Sequence, residues 1–485
     1  MNIKRMLCII LTLLMLVSVV ACNKGDDSEN NNNNDDQSSQ ETTKTFNNAD
    51  YTVLSRLTTA YEFDNSGEGT DDKVQRKIWE RNVFIKDTYD VNVNVITEPG
   101  SYDERDSFIA KVRSSLSSGA DEFSMISTHS SYMQSIAIEG LGKEISSIPQ
   151  INISNKWWCE PYAKNSEING KSYVLVGDIA LKLYENIEVV FFNTTLAEEY
   201  QLGDLYQIVL DGNWTLDKMI ELSKVAGGYN NQTSEQYGLL ANSHSIRYLA
   251  TSLGLRYTTR DNSTGRQSFR TSVPAKMETT YAKILEWHQS DVVRYGEPVS
   301  DDAENSNPLF SNGKSLFYMQ MLGEAKYMAS AMTNYGYGVL PFPKLEEGKS
   351  AYKTACCDEF SAQLIPLTVV DTEMVGTVTE ALCKYSNENV IPEYYETRLK
   401  FRYFDDYQVQ SMLDLIREGL TFDFAQIYGS VIAEWPYATF SYIMEKNITA
   451  PGSESITYFW RSNAPIWNRS LSDLYSKVDK LEESN

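Results

Sequence analysis

Between positions 51 and 128 the chain alternates three short runs that suit strands with two longer runs that suit helices. The strand-like runs are 51–57, 92–98 and 123–128, and the middle one, NVNVITE, alternates apolar and polar residues as a half-buried strand does. Residues 71–89 and 102–118 instead repeat apolar positions at the spacing of one helix face. This order predicts parallel strands joined by right-handed crossovers, and therefore an α/β fold.

The loops that follow these three strands are the first place to look for a binding site. In open sheets of parallel strands, ligands bind beyond the carboxyl ends of the strands. Tyr61 and Glu62 follow the first strand, and His129 ends the third. We expect these three residues to contribute to a site, with ordinary loop positions as the alternative.

A second region with strand and helix patterns follows. Its strand-like runs are 171–176, 187–192, 317–321 and 337–340. Its helical runs are 217–225, 247–253 and 277–289, and the chain from 376 onward is mostly helical. The roughly 440 residues that follow the N-terminal segment are enough for two large domains or lobes.

The first 22 residues have the pattern of a bacterial lipoprotein signal. Lys4 and Arg5 precede an apolar stretch, 7–20, that is shorter than the roughly 20 residues of a membrane span. The small residues before Cys22 resemble a lipobox, in which the cysteine thiol receives a diacylglyceryl group. We therefore expect residues 1–21 to be a signal peptide and Cys22 to be lipidated. An ordinary signal peptide and an uncleaved anchor are the alternatives.

Residues 22–46 contain almost nothing that could join a hydrophobic core. After Cys22 the stretch is dominated by Asn, Asp, Ser and Gln, and its one apolar residue stands at the end. Such a segment cannot bury enough surface to offset its chain entropy. We expect a disordered tether that holds a folded domain at the extracellular side of the cell membrane.

Composition argues against several classes of function. A net charge of −23 opposes binding to nucleic acid and attraction to an anionic membrane surface. Besides Cys8 and Cys22, four cysteines remain, and their irregular spacing indicates buried thiols more than a zinc site or a disulfide framework. They are Cys159, Cys356, Cys357 and Cys383, and one bridge among them stays open.

Several segments in a fixed order resemble one known family. The first is NGKSYVLVGDI (169–179), followed by EVVFFNTTLAEEYQL (188–202). The others are DGNWTLDKMIELSK (211–224), LFSNGKSLFYM (309–319) and YGYGVLPFPK (335–344). Their order and spacing behind the lipoprotein signal resemble the extracellular solute-binding proteins of ABC importers, in the sugar-type family 1. Members from anaerobic Gram-positive bacteria resemble the chain most.

The resemblance implies a periplasmic-binding-protein-like α/β fold of two lobes with a hinge, built on mostly parallel sheets flanked by helices. Lobe one would hold 47–176 and 312–355, and lobe two would hold 177–311 and 356–485. A solute, in this family mostly a sugar, would bind between the lobes and close them, and the membrane permease subunits would read the closed form. The resemblance also implies a monomer without cofactor, metal or catalysis.

A sugar site needs polar groups for the hydroxyls and aromatic rings for the C–H faces. We therefore expect further ligand contacts near the hinge, at strand ends that face the cleft and on its walls. Besides Tyr61, Glu62 and His129, the candidates are Trp157, Trp158, Asp178, Gln320, Glu359, Phe360 and Trp435. Each could instead serve packing or a turn, and Trp214, at the start of a helix, is expected to be structural.

The sequence lacks the common catalytic motifs. Its three histidines form no HExxH pair, and it has no GxSxG elbow. Residues 64–69 imitate a calcium loop, but Gln75 stands where a bidentate Glu is required. Besides a sugar receptor, two functions stay open. One is a receptor of the same fold for a peptide or a phosphorylated compound, and the other is a surface adhesin or a glycosidase with paired carboxylates.

Overall fold

The computed structural model of the chain describes residues 44–227, 236–296, 308–395, 397 and 407–484. The expected signal peptide, the lipidation site Cys22 and most of the tether lie outside these residues. Within the described ranges, no helix combines the length and the apolar character needed to cross a membrane. Phe46, expected at the end of the tether, donates its backbone N–H to the carbonyl of Tyr89 at 2.8 Å and already belongs to the folded unit.

The strands of the described residues form two main sheets and one two-stranded ribbon. They are β1 (Ala49–Arg56), β2 (Val91–Glu98), β3 (Met125–His129), β4 (Glu188–Asn193), β5 (Tyr237–Ala241), β6 (Thr258–Arg260), β7 (Gln267–Phe269), β8 (Val293–Tyr295), β9 (Ser315–Met321), β10 (Tyr337–Leu340) and β11 (Ser361–Leu364). The first sheet has the order β11-β3-β1-β2, and the second has the order β10-β4-β9-β5-β8. We call the elements on the first sheet the first lobe and those on the second sheet the second lobe.

Helices flank both sheets. In chain order they are α1 (Lys73–Tyr89), α2 (Arg105–Ser117), α3 (Ser130–Ile136), α4 (Glu160–Asn165), α5 (Leu181–Glu185), α6 (Thr194–Glu199), α7 (Leu205–Leu210), α8 (Leu216–Gly227), α9 (Ser243–Ser252), α10 (Ala275–His288), α11 (Pro308–Ser311), α12 (Ala325–Ala331), α13 (Thr372–Tyr385), α14 (Ile391–Tyr394), α15 (Tyr407–Glu418), α16 (Phe424–Ile427), α17 (Thr439–Thr449) and α18 (Ile456–Ser484). Short 3-10 turns follow β1 and β2, at Leu57–Glu62 and Tyr102–Glu104.

The first sheet confirms the alternation of strands and helices predicted between positions 51 and 128. β1 pairs in parallel with both β2 and β3, so that Val53 lies opposite Val95 on one side and Met125 on the other. Helices α1 and α2 make the two crossovers. β11 joins β3 in the antiparallel direction, with Ala362 opposite Thr128.

Helix α1 illustrates why the local sequence folds as predicted. The carboxylate of Asp72 caps the helix by accepting a hydrogen bond from the backbone N–H of Val74 at 3.0 Å. Val74, Ile78 and Ile85 form the buried face of the helix. The helix ends at Asp90, whose φ of 54° lies in the left-handed region that commonly terminates helices.

The second sheet corrects the expected division into lobes. The family resemblance placed residues 312–355 in the first lobe. This stretch, however, contains β9 and β10, which both pair with β4 in the second sheet. Conversely, residues 361–364, expected in the second lobe, form β11 of the first sheet. Sequence alternation identifies a strand without revealing its neighbour, and pairing is decided by the folded chain. β9 runs antiparallel to β4 and parallel to β5, so the second sheet is mixed.

The C-terminal part of the chain packs on both lobes. Helix α13 lies against α1 of the first lobe, whereas α15 packs against β10 and α7 of the second lobe. The long helix α18 contacts the segment 137–141 of the first lobe as well as β7 and α10. Trp460 and Trp467 on α18 are fully buried. This helix therefore contacts elements of both lobes.

The residues expected to be structural are so placed. Trp214 is buried and donates its indole N–H to the carbonyl of Pro341 at 2.9 Å. Cys356, Cys357 and Cys383 are buried and Cys159 is partly buried, and none of these four forms a disulfide.

Candidate functional site

A cavity of about 630 Å³ lies between the two lobes, beyond the carboxyl ends of β1, β2 and β3. This is the edge of the first sheet where parallel topology places a binding site. Its first-lobe wall includes Arg56, Thr58, Tyr61, Ser101, Tyr102 and His129. The opposite wall includes Lys182, Glu185, Asn186, Gln320, Glu324 and Tyr327. Glu359, in the segment that leads into β11, completes the cavity.

The structure brings four of the ten ligand-binding candidates together in this cavity. Tyr61 follows β1, His129 ends β3, Gln320 lies near the end of β9, and Glu359 precedes β11. The other six candidates do not line the cavity. They are Glu62, Trp157, Trp158, Asp178, Phe360 and Trp435.

Arg56, the last residue of β1, organises the first-lobe wall. Its guanidinium is buried, donates to the hydroxyl of Thr59 at 3.2 Å, and makes a short hydrogen bond to the carbonyl oxygen of Glu359. Burial lowers the pKa of Arg56, and the nearby Glu62 opposes this shift. The arginine therefore joins the end of β1 to the segment before β11, and it places a positive charge at the cavity floor.

His129 contributes a neutral ring to the cavity. Burial, followed by the charge of Arg56, lowers the pKa of His129 to about 4. Its Nδ1 atom lies 2.7 Å from the hydroxyl of Ser131. Its ring stacks on the ring of Tyr132, with centroids 5.7 Å apart. Because the ring is uncharged at neutral pH, it can offer a ligand one hydrogen bond and an aromatic face.

The second-lobe wall carries paired and unpaired polar groups close to one another. The Nζ atom of Lys182 lies 3.4 Å from a carboxylate oxygen of Glu185, one helical turn along α5. Gln320 donates through its amide nitrogen to the hydroxyl of Tyr318 at 3.2 Å, while its amide oxygen accepts from the backbone of Met321 at 2.9 Å. The orientation of the Gln320 amide is therefore set before any ligand arrives.

Glu324 has the properties of a ligand-binding acid. Burial raises the pKa of its carboxyl to about 7, and the charge of Lys326 only partly opposes this shift. Its Oε1 atom is buried and finds no hydrogen-bond partner among the described residues. A buried polar atom without a partner costs free energy unless something else satisfies it. Glu324 is therefore suited to accept a hydrogen bond from a solute in the cavity.

Glu62 lies behind the cavity wall and links the lobes. It is fully buried, and its Oε1 accepts the backbone N–H of Lys182 at 3.0 Å. Burial raises its pKa to about 7, and the hydrogen bond from Lys182 opposes the shift. The prediction put Glu62 on an open loop, but the 3-10 turn after β1 rotates its side chain toward α5.

Trp157 and Trp158 bind a carboxylate instead of facing the cavity. Their indole N–H groups donate to the two oxygens of Glu380 on α13, at 3.0 and 2.7 Å. Asn155 donates to the same carboxylate at 2.6 Å. Both rings therefore serve the packing of α13 on the first lobe.

Asp178 belongs to a buried polar network behind the cavity. Its carboxylate accepts from Asn387 at 2.6 Å and from Arg417 at 2.9 Å, and it makes a short hydrogen bond with the hydroxyl of Tyr184. Burial raises the pKa of Asp178 against the opposing charge of Arg417. Asp178 thus joins the segment before α5 to α15.

Phe360 and Trp435 lie beside the cavity in different settings. Phe360 is fully buried among core aromatic rings and packs edge-on against Tyr162. Trp435 is half-buried and has a φ of 45°, in the left-handed region that is strained for a residue with a side chain. Its ring meets that of Tyr102 across the lobes, with centroids 5.3 Å apart and planes at 68°.

The sequence reasoning missed most of the polar residues that line the cavity. Arg56, Ser101 and Tyr102 stand at the ends of β1 and β2, so the rule that pointed to Tyr61 could also have identified them. Lys182 and Glu324 carry no such signal, because their approach to the first lobe depends on how the second sheet is oriented. Among the described residues, no group of three or more metal-ligating side chains is arranged around a common point.

The cavity can therefore bind a polar solute through several kinds of contact. It offers carboxylates, cationic groups, an oriented amide, hydroxyls and aromatic rings within one cavity. Such a mixture suits a ligand with many hydroxyl groups, which both donate and accept hydrogen bonds.

No family model matches the chain, and no curated protein matches it in a sequence search. Solved structures do match the chain. The sugar-binding protein MalE of Xanthomonas citri is similar with a TM-score of 0.57 and 11% identity, covering 88% of this chain and 98% of that one. The galacto-N-biose-/lacto-N-biose I-binding protein of an ABC transporter from Bifidobacterium longum, in complex with lacto-N-biose, has a TM-score of 0.56 and 11% identity, covering 89% and 98%.

A third structure has a different kind of ligand. UgpB of Mycobacterium tuberculosis, in complex with glycerophosphocholine, is similar with a TM-score of 0.51 and 12% identity, covering 90% of this chain and 98% of that one. At such low identity the likeness shows the fold alone. The chain has the two-lobed α/β fold of periplasmic-binding-protein-like receptors, as the sequence segments predicted.

Proposed function

We propose that the protein is the extracellular receptor of an ABC importer, and that it captures a carbohydrate, most suitably an oligosaccharide, between its two lobes. The observation that carries this proposal is the polar cavity of about 630 Å³ at the carboxyl edge of the first sheet. Its volume falls within the roughly 300–1,000 Å³ of small-molecule sites. No covalent chemistry is needed for this function, so we propose a binding protein and not an enzyme.

The walls of the cavity support a sugar as the ligand. Tyr61, Tyr102, Tyr327 and Tyr394 contribute aromatic rings, on which the C–H faces of a sugar can stack. Glu324 offers a buried acceptor, and Gln320 offers an amide held by Tyr318. A ring system with several hydroxyls would use both kinds of contact at once.

Closure of the lobes around the solute would provide the signal to the transporter. Both walls contribute to the cavity, so a ligand that contacts both binds the closed arrangement better and shifts the population toward it. Trp435 and Tyr102 already meet across the lobes. The permease subunits would then recognise the closed form.

We further propose that Cys22 is lipidated and that residues 22–46 tether the receptor to the outer face of the cell membrane. A tether raises the effective concentration of the receptor at its transporter. A monomer suffices for this role. Mass spectrometry tests the anchor. Protein extracted from membranes should carry the mass of a diacylglyceryl group, whereas a Cys22→Ala chain should lack this mass and appear in the medium.

A thermal-shift screen of the purified protein tests the proposal directly. Mono- and oligosaccharides are one arm of the screen, and oligopeptides are another. A ligand at about 100 times its Kd stabilises the folded state by roughly 2.7 kcal/mol, which raises the melting temperature. A rise with oligosaccharides alone supports the proposal, and Glu324→Gln should weaken that rise. A rise with peptides alone would contradict it.

A phosphorylated solute is the second candidate, because three cationic side chains line the cavity beside its three glutamates. Arg56, Lys182 and Lys326 all line the cavity, and guanidinium and ammonium groups bind phosphate well. A glycerophosphodiester arm in the same screen distinguishes the two ligands. Incubation with glycans also tests a glycosidase, since new reducing ends would show hydrolysis.

A further inference from the structure

Three side chains from distant parts of the chain form an array of adjacent polar groups in the buried part of the protein. The sulfur of Cys357 lies 3.2 Å from Nε2 of His244, in the first turn of α9. The Nδ1 atom of the same imidazole lies 2.9 Å from a carboxylate oxygen of Glu188, the first residue of β4. Thiol, imidazole and carboxylate therefore follow one another at hydrogen-bonding distances.

Backbone contacts hold these three groups in place. The N–H of Cys357 donates to the carbonyl of Asn186 at 2.8 Å, and the N–H of Glu188 donates to the carbonyl of Ala355 at 3.0 Å. These two bonds fix the cysteine segment against the start of β4. The array is thus built into the connection between the lobes and does not depend on a mobile surface loop.

The chemistry of the array is that of an activated thiol. In such arrangements a base within reach of the nucleophile takes its proton, and a third group orients the base. Glu188 is fully buried, and one of its carboxylate oxygens lies 2.9 Å from Nδ1 of His244, while Nε2 of the same ring lies beside the sulfur. Burial lowers the pKa of His244, but the neighbouring Cys357 and Glu188 raise it well above its usual value.

The adjacent Cys356 lacks this environment and provides an internal control. Its sulfur lies at hydrogen-bonding distance from two carbonyl oxygens, those of Leu183 at 3.4 Å and of Cys357 at 3.3 Å. Both thiols are buried, and burial raises the pKa of each. For Cys357 alone, His244 opposes that rise. Two consecutive cysteines of similar burial therefore differ in having a base.

We propose that Cys357 is a covalent modification site, activated by His244 and Glu188, that reacts with small uncharged peroxides. The proton of the thiol lies on Nε2 of His244, so the sulfur reacts as a thiolate beside an imidazolium; it attacks one peroxide oxygen, an S–O bond forms and the O–O bond breaks. The leaving hydroxide takes the proton from the imidazolium and departs as water. The thiol is oxidised to a sulfenic acid and the peroxide is reduced.

Access to the sulfur is from the side of His244. The imidazole keeps 19% of its surface exposed, whereas Cys357 keeps 1%. The proposal therefore requires a molecule as small as hydrogen peroxide to reach the sulfur past this ring. Larger thiol reagents should react much more slowly, which distinguishes this site from an exposed cysteine.

Hydrogen peroxide and the full-length chain provide the test. After a short exposure, catalase removes the oxidant, the chain is unfolded in urea with dimedone, and fragment-ion mass spectrometry assigns the adduct to each cysteine. We expect Cys357 to carry at least tenfold more adduct than Cys356. In a chain that is unfolded before exposure, Cys356 and Cys357 should be modified to the same extent. Equal adducts in the native protein, or none on Cys357, would overturn the proposal.

His244→Gln isolates the base. This change should lower the native adduct on Cys357 about tenfold and leave Cys356 unchanged, and circular dichroism verifies that the variant is folded. A folded variant with an unchanged Cys357 adduct would also overturn the proposal. If the variant does not fold, the ratio of the adduct on Cys357 to that on Cys356 in the unsubstituted protein decides the outcome by itself. The outcome is independent of which solute the cavity binds.

Discussion

The carboxylate of Glu62 in the first lobe accepts the backbone N–H of Lys182, at the start of the second-lobe wall, at 3.0 Å. A buried acid here joins two segments that are 120 positions apart in the chain. Burial raises the pKa of Glu62 from 4.5 to about 7. The folded protein therefore holds a proton on this carboxyl more tightly than the unfolded chain does.

The raised pKa of Glu62 predicts how stability depends on pH. Because the folded-state pKa exceeds the unfolded value, this contribution is fully present below pH 4.5 and is lost as the pH rises through 7. Its size is on the order of 3 kcal/mol. Glu62→Gln should flatten the fall in unfolding free energy between pH 5 and 7.5, measured with urea. Glu68→Gln, at an exposed position, should leave the slope unchanged.

Some features of the fold follow from local sequence and others do not. The first sheet was predictable because α1 and the strands around it carry their own periodicity and caps. The lobe to which β9 belongs was not predictable, because the sequence of a buried strand does not indicate which sheet the strand joins. Among the cavity residues, Tyr61 and His129 were expected from the strand-end rule, and their part in ligand binding stays a prediction. Trp158 does not line the cavity, and local sequence could not reveal its partner, Glu380, which lies 222 residues further along the chain.

The ion pair between Asp178 and Arg417 should stabilise the hinge region. Asp178 is nearly fully buried, so Arg417→Gln would leave a buried carboxylate without its cation. Removing one partner of a buried pair costs about 3–5 kcal/mol, and partial exposure of Arg417 places the expected loss at the lower end. Urea unfolding measures it. Lys218→Gln, which breaks a pair with the exposed carboxylate of Glu221, should cost less than about 1 kcal/mol.

Glu380 should matter for stability and not for ligand binding. Glu380→Ala would leave the indole N–H groups of Trp157 and Trp158 and the amide of Asn155 without their acceptor. We expect a loss of about 2–4 kcal/mol in unfolding free energy. The affinity for any solute identified in the thermal-shift screen should change less than twofold. A large loss of affinity in a folded variant would contradict this prediction and indicate that the two tryptophans contribute to ligand binding.

Backbone strain beside Trp435 gives a stabilising substitution. Glu434 is exposed and has a φ of 60°, a conformation that costs a residue with a side chain roughly 1–2 kcal/mol. Glu434→Gly should therefore raise the unfolding free energy by up to about 1 kcal/mol. Glu445→Gly, at an exposed position within α17, should instead lower it by about the same amount. Destabilisation by both changes would contradict this account.

The acid in the cavity should make solute binding depend on pH. Burial raises the pKa of Glu324 to about 7, so this carboxyl is partly protonated at neutral pH. A sugar hydroxyl that donates to Oε1 binds the ionised form better, and affinity should rise severalfold between pH 6 and 8. By linkage, binding near pH 7 should release a fraction of a proton, which calorimetry in buffers of different ionisation enthalpy detects. Glu324→Gln should abolish both the pH dependence and the proton release. Persistence of both effects in the variant would assign them to another group.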